Sequence, residues 1–151
     1  MANASAKVRV FIDADVLFAA SASGLEHGAS LVALRLGEIT LIELFTSQQV
    51  IDEVERTLQT KLPAALTLFR LLVEKSLTIL PAPTADQVEA HEGHADPKDL
   101  PILVAALQIE ADWFLTFNTR HFYSDASLIR IVRPGDFVLE VRYQLTMLGN
   151  D

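Results

Sequence analysis

Five short apolar runs, near residues 8–12, 40–45, 77–80, 113–117 and 129–132, alternate with segments patterned as helices near 14–22, 26–37, 48–61, 64–75, 98–109 and 135–147. Strand, crossover helix, strand, repeated in this way, leaves few solutions: the strands run parallel and helices cover both faces of the sheet. The first run, Val-Arg-Val-Phe-Ile, is rich in β-branched and aromatic side chains, as a strand buried on both faces must be. The spacing therefore predicts an α/β fold in three layers, α/β/α, around a central parallel sheet of about five strands. Pro81-Ala-Pro83 and His91-Glu-Gly93-His94 punctuate loops, and Pro134-Gly135 separates the last strand from a closing helix. No internal repeat or low-complexity tract divides the chain, and 151 residues, half of them hydrophobic, suit one domain over 1–151.

Composition narrows the chemistry. There is no cysteine, which removes disulfides, thiolate metal sites and cysteine nucleophiles and fits a reducing compartment. The first residues loosely imitate a secretory signal, but Asp13 and Asp15 fall inside its would-be apolar stretch. The longest uncharged stretch elsewhere, Leu100 to Ile109, is too short to span a bilayer, so the expectation is a cytoplasmic protein without a membrane anchor. A formal net charge of -8 argues against a general polyanion-binding surface. It leaves room for a nucleic-acid enzyme, because a metal held by carboxylates needs surplus acids.

The first apolar run stops at two carboxylates, Asp13 and Asp15. In open α/β sheets ligands bind outside the carboxyl ends of the strands, so an acid there is a candidate for chemistry, though it can also simply cap the next helix. Downstream, Ser47 is placed to cap a helix whose buried face is Val50, Val54 and Leu58. Glu53 borders that face, open both to a pairing with Arg56 and to a functional role. Asp96-Pro97-Lys98-Asp99 makes a good helix start, with Asp96 as N-cap and Pro97 at the first helical position. One acid satisfies a cap; the second, Asp99, precedes the apolar face Ile102, Ala105, Ala106, Ile109 and should point toward the sheet. The fourth run ends in Thr116-Phe-Asn118, which adds Asn118 at the same edge.

Three carboxylates about 5 Å apart at an effective dielectric near 20 repel by roughly 3 kcal/mol per pair, about 10 kcal/mol together. Such a cluster persists with a proton or a cation between its members. Oxygen donors with no His or Cys beside them suit Mg²⁺ or Mn²⁺ rather than zinc, and such ions serve phosphodiester hydrolysis. The histidines add little to this picture: His121 reads as a solvated neighbour of Arg120, able to touch a phosphate, and His27, His91 and His94 lack ligand-like spacing. Trp113 and the phenylalanines read as core.

The ordered set Phe-Ile-Asp13-Ala-Asp15, Ser47…Glu53-Val-Glu-Arg56, Asp96-Pro-Lys-Asp99-Leu-Pro-Ile-Leu-Val-Ala-Ala, Thr116-Phe-Asn118-Thr-Arg120-His-Phe and Arg133-Pro-Gly-Asp-Phe137 resembles the PIN domain, a family of compact metal-dependent ribonucleases that includes many toxins of toxin–antitoxin pairs. The resemblance spans essentially the whole chain. It implies that Asp13, Glu53 and Asp99 hold Mg²⁺ or Mn²⁺, that Asn118 helps position water or metal, and that water activated by the metal is the nucleophile on an RNA substrate. Asp15, Asp96, Ser47, Thr116 and Arg120 are accessory to that site. A homodimer and an antitoxin partner blocking the site also follow from the resemblance. The chain departs from the pattern in two places, with Asp15 where a neutral residue is usual and Asn118 where a fourth acid is usual, which bears on a second metal.

Two other readings stand beside it. Asn118 and the acidic balance suit a PIN fold whose catalysis has lapsed into a binding module. Phe-Ile-Asp13-Ala-Asp15-Val and Thr46-Ser47 also resemble motifs of haloacid-dehalogenase-like phosphatases, with Asp13 as covalent nucleophile and Asp15 as general acid. That family needs an acidic pair just after a later strand, whereas Asp96 and Asp99 precede a helix.

Overall fold

A computed structural model describes residues 7–23, 28–123 and 128–149. Its sheet has the five strands β1 (Arg9–Ile12), β2 (Glu43–Ser47), β3 (Thr78–Leu80), β4 (Trp113–Leu115) and β5 (Arg130–Val132), in the order β3-β2-β1-β4-β5. Every neighbouring pair is parallel. β1 is central because its side chains are apolar on both faces: Val10, Phe11 and Ile12 have no exposed surface. It pairs Val10 with Leu44 on one side and with Trp113 on the other. The edge strands β3 and β5 are half-exposed, as one-sided strands can be.

Among the described residues seven helices connect and cover the strands: α1 (Ala14–Ala22), α2 (Ala29–Glu38), α3 (Gln48–Lys61), α4 (Leu66–Ser76), α5 (Ala85–Glu89), α6 (Leu100–Gln108) and α7 (Pro134–Leu148). From β1 the chain steps outward through β2 to β3, then returns across the sheet to β4 and β5 on the far side of β1. Right-handed crossovers in opposite directions place α1 to α4, which pack on one another, on one face and α5 with α6 on the other. This is the expected three-layer α/β/α architecture. The reversal of direction creates a switch point between β1 and β4, where an open α/β sheet leaves a crevice beyond its carboxyl ends.

Several boundaries depart from the sequence reading, three of them for a clear local reason. β2 begins at Glu43 rather than near 40, because α2 ends in a left-handed Thr40 with φ of 64° whose neighbour Leu41 returns its N–H to Leu36 at 3.0 Å. α6 begins at Leu100, and its N-cap is Asp99, not Asp96. Leu100 N–H does reach the Asp96 carbonyl at 2.9 Å, but Pro101 has no N–H to return to Pro97, so a helix cannot run on from Pro97. β4 stops at Leu115 instead of Phe117, since Phe117 N–H turns away to a side chain of α1. The helix expected at 26–37 starts at Ala29, residues 26 and 27 lying outside the described ones, and α4 starts at Leu66 after a 3₁₀ turn at Pro63–Ala65. α5 escaped the sequence reading although Thr84 and Gln87 form a capping box around its start.

Candidate active site

Asp13 is the residue that leaves β1, and its N–H still pairs with the Leu115 carbonyl of β4 at 3.0 Å. It is also the N-cap of α1, so the capping and the edge position coincide in one side chain. Its carboxylate is 6 % exposed. One oxygen accepts the Ala14 N–H at 2.8 Å and the other the Thr116 hydroxyl at 2.8 Å, a contact that spans the switch point. Thr116, which is fully buried, receives in turn the Asn118 N–H at 3.0 Å.

Asp15, in the first turn of α1, holds the other half of the same loop. Its Oδ2 accepts Phe117 N–H at 3.0 Å and the Asn118 side-chain amide at 3.1 Å. Its Oδ1 is buried and has no hydrogen-bond partner among the described residues. The charge count explains what this arrangement costs. Burial first, then the Asp15 carboxylate, push Asp13 up from 3.8 to about 7, with Asp99 adding to the rise and the Ala14 and Thr116 hydrogen bonds opposing it. Asp15 is raised as well, by burial first, against the Phe117 hydrogen bond and with Asp99 again adding. Three acids from β1, α1 and the α6 start therefore act on one another, which is the situation in which a cation is favoured.

Asp99 does not cap α6 with its side chain. Its Oδ2 lies 3.1 Å from Nδ1 of His121, and Asp96 lies 3.9 Å from the same nitrogen. Donor atoms of Asp96, Asp99 and His121 all fall within 4.8 Å of one another, the metal-like spacing found among the described residues. An antiparallel bridge between Ala95 and Phe122 aligns this group: Asp96 N–H reaches the His121 carbonyl at 2.8 Å, and the Tyr123 hydroxyl donates to Asp96. That hydrogen bond leads the causes that raise the Tyr123 phenol. The expectation that no histidine stands beside the acids thus needs correction. His121 touches Asp99 across 22 residues of sequence, and only the bridge, which has no periodic signal, brings it there.

Glu53 comes to the site from the other side. It is half-buried on α3 and lines a cavity of about 240 Å³ together with Asp15 and Phe18. It is not part of the Asp96–Asp99–His121 group and forms no ion pair with Arg56 among the described residues; the neighbouring Glu55 instead takes Arg70 at 3.1 Å. Ser47 is the N-cap of α3, accepting Val50 N–H at 3.4 Å, and so sets that helix in place without facing the acids through a hydrogen bond. Arg120 is exposed in the 3₁₀ turn Thr119–His121. His27 lies outside the described residues. Phe117 is 39 % exposed, unlike Phe11, Phe114 and Phe122, so not every phenylalanine is core.

The donor chemistry suits a divalent ion. Asp13, Asp15 and Asp99 offer hard oxygens, and the orphaned Asp15 Oδ1 is an acceptor with nothing to accept from. His121 adds a nitrogen at the Asp99 side, so the absence of a histidine no longer sets zinc aside, and the Asp96–Asp99–His121 donors fit Mn²⁺ or Zn²⁺ better than Mg²⁺. Among comparisons with known proteins, a family model described as PIN domain matches residues 9–120. None of the curated proteins compared matches the chain. No helix among the described residues is long and apolar enough to cross a membrane.

Proposed function

Because the chain belongs to the PIN-domain family, whose fold is of nuclease type, we propose that it is a metal-dependent endoribonuclease using Mg²⁺ or Mn²⁺. The observation that carries the reading is the buried Asp13–Asp15 pair at the switch point, with one orphaned oxygen and the Asp99 charge acting on both. Asp13, Asp99 and Glu53 are the residues that would hold the ion, and Asp15 supplies the further charge that Asn118 lacks. A bound divalent ion lowers the pKa of a water and neutralises a phosphoryl oxygen.

The chain's own groups prepare that chemistry. Thr116 and the Ala14 N–H orient the Asp13 carboxylate, leaving its charge for the site. Asp15 ties Phe117 and Asn118 down, so the Asn118 amide is fixed with its carbonyl oxygen free of that contact. His121 restrains Asp99. By the same family membership we assign the protein a toxin-like role, as a homodimer in the cytoplasm with an antitoxin partner. The family match leaves the phosphatase reading without support.

The test is cleavage of labelled RNA with Mn²⁺, with Mg²⁺ and with chelator. Parent protein should cleave only with metal, and Asp13→Asn should not cleave. Cleavage that survives chelator, or an Asp13→Asn protein as active as the parent, would overturn the assignment. The commitment of Asn118 to Asp15 favours one second reading, a lapsed binding module. Metal and RNA binding without cleavage is the result that would establish it.

A further inference from the structure

The chain carries 12 lysines and arginines against 20 acids, yet three of its cations stand together around Glu53. α3 presents Glu53, Thr57 and Lys61 along one stripe, at i, i+4 and i+8, toward the small cavity that Asp15 also lines. Its adjoining stripe carries Gln49, Asp52 and Arg56 into a second cavity of about 600 Å³, where Lys98, from the turn between Asp96 and Asp99, meets them. Glu53 lines both cavities and so forms the ridge between them.

Arg56, Lys61 and Lys98 are exposed and make no ion pair among the described residues, although Asp52 and Glu53 are beside them. Asp52 is engaged by the Gln48 amide at 2.9 Å instead. Among the described residues only Arg9, Arg35 and Arg70 pair with a glutamate, so what sets Arg56, Lys61 and Lys98 apart is that they line two adjoining cavities. Unpaired cations gathered on an acidic protein complement a polyanion. Cavities of a few hundred Å³ have the size of a small ligand, hence of single nucleotide units rather than a duplex, and Gln49 offers amide groups to base edges that only an unpaired strand exposes.

We propose that the sugar–phosphate backbone of a single nucleic-acid strand crosses α3 over the Glu53 ridge, with one phosphate between Arg56 and Lys98 and another on Lys61. The proposal rests on the nuclease reading and adds to it the path of the substrate. The two phosphate positions bracket the strand where it passes Asp15 and Glu53.

The experiment measures binding of a short labelled single-stranded RNA by fluorescence anisotropy, in chelator and on the Asp13→Asn background so that nothing is cleaved, across a salt series. Each phosphate neutralised on a single strand contributes about 0.7 to the slope of log affinity against log salt, so removing the three cations that hold two phosphates should lower the slope by about 1.4. Between 50 and 200 mM salt the parent should then lose about seven-fold more affinity than the Arg56→Ala/Lys61→Ala/Lys98→Ala variant. Arg142→Ala, on α7, should leave the slope alone, and the same RNA annealed into a duplex should bind more weakly. An unchanged slope in the triple variant, or a duplex bound as tightly as the single strand, overturns the path. Cleavage by these cation variants on the active background, assayed in parallel with Mn²⁺, separates the two readings. An unchanged slope with cleavage intact removes the path and leaves the nuclease, whereas a lowered slope without cleavage in the parent keeps the path and removes the nuclease.

Discussion

At the amino end of the sheet Asp112 accepts the Arg9 N–H at 2.8 Å, Arg9 reaches Glu43 at 3.5 Å and the Ile109 carbonyl at 2.7 Å, and Arg130 lies over the Trp113 ring at 3.8 Å. At the carboxyl end, one and three residues beyond the other terminus of the same β1, Asp13 and Asp15 have hydroxyl and amide donors but, among the described residues, no cation, and Asp99 has only His121. Both ends hold acids near a parallel sheet. At the amino end Arg9 pairs its guanidinium with Glu43 and Asp112 accepts a backbone N–H of β1, contacts that join the strands. The carboxyl end holds its charges unneutralised, at a cost to folding, where a ligand can offset them.

That contrast is most readily broken by exchanging the consequences. Asp99→Asn should lower metal-dependent RNA cleavage by about a hundred- to a thousand-fold, the loss of several kcal/mol of stabilisation near the phosphoryl group, while its melting midpoint in chelator stays at or above the parent's. Asp112→Ala should do the reverse, retaining cleavage and losing about 1–2 kcal/mol with its hydrogen bond, which lowers the midpoint by about 3–7 °C. Cleavage assays paired with thermal unfolding check both. A matching loss in both variants would erase the distinction between the two ends.

The next effect is in pH. Asp13 holds a proton in the folded chain up to about pH 7 and gives it up near 3.8 when unfolded, so between those values the native state binds more protons. Stability must then fall as pH rises across this window, by at most about 1.4 kcal/mol per unit for one group. Chemical denaturation in chelator at several pH values should give parent and Asp13→Asn curves that diverge from pH 4 to 7, the parent losing stability relative to the variant. Parallel curves would show that Asp13 is not strained by its neighbours.

Adding a divalent ion should sharpen the picture. At tenfold excess over Kd it stabilises the folded state by about 1.4 kcal/mol. The midpoint should rise by about 3–5 °C in the parent and in Asp112→Ala, and by nothing in Asp13→Asn or Asp99→Asn. The smallest change belongs to Asn118→Asp, which replaces the amide donor to Asp15 with a fourth acid. Without metal it should lower the midpoint by a few degrees, about 1 kcal/mol, and with metal recover it through tighter binding, as titration calorimetry would measure.

Much of the fold was legible because it rests on local pattern: apolar runs made the strands, Ser47 capped α3, and the crossover logic arranged them. Asp13 and Asp99 were legible for the same reason, since each closes or opens an element. What stayed hidden depends on contacts between distant segments. His121 reaches Asp99 through a two-residue bridge, and Asn118 is bound to Asp15 across 103 residues, neither of which leaves a periodic trace. Arg56 and Glu53 are helix neighbours in sequence, yet local spacing could not tell that both turn toward clefts rather than toward each other.

The grip of Asp15 on Phe117 and Asn118 has a consequence in time. While the protein is being synthesised, β1, β2 and β3 and their helices are available long before residue 116 exists. Asp13 and Asp15 must wait beside the open edge of β1 until β4 docks and delivers Thr116, Phe117 and Asn118. A chain stalled or cut short within its first two thirds lacks those donors, and its acids stay unorganised. On the proposed ribonuclease reading, such an arrangement keeps the site incomplete on the ribosome, surrounded by RNA, until β4 and the loop that follows it have been made.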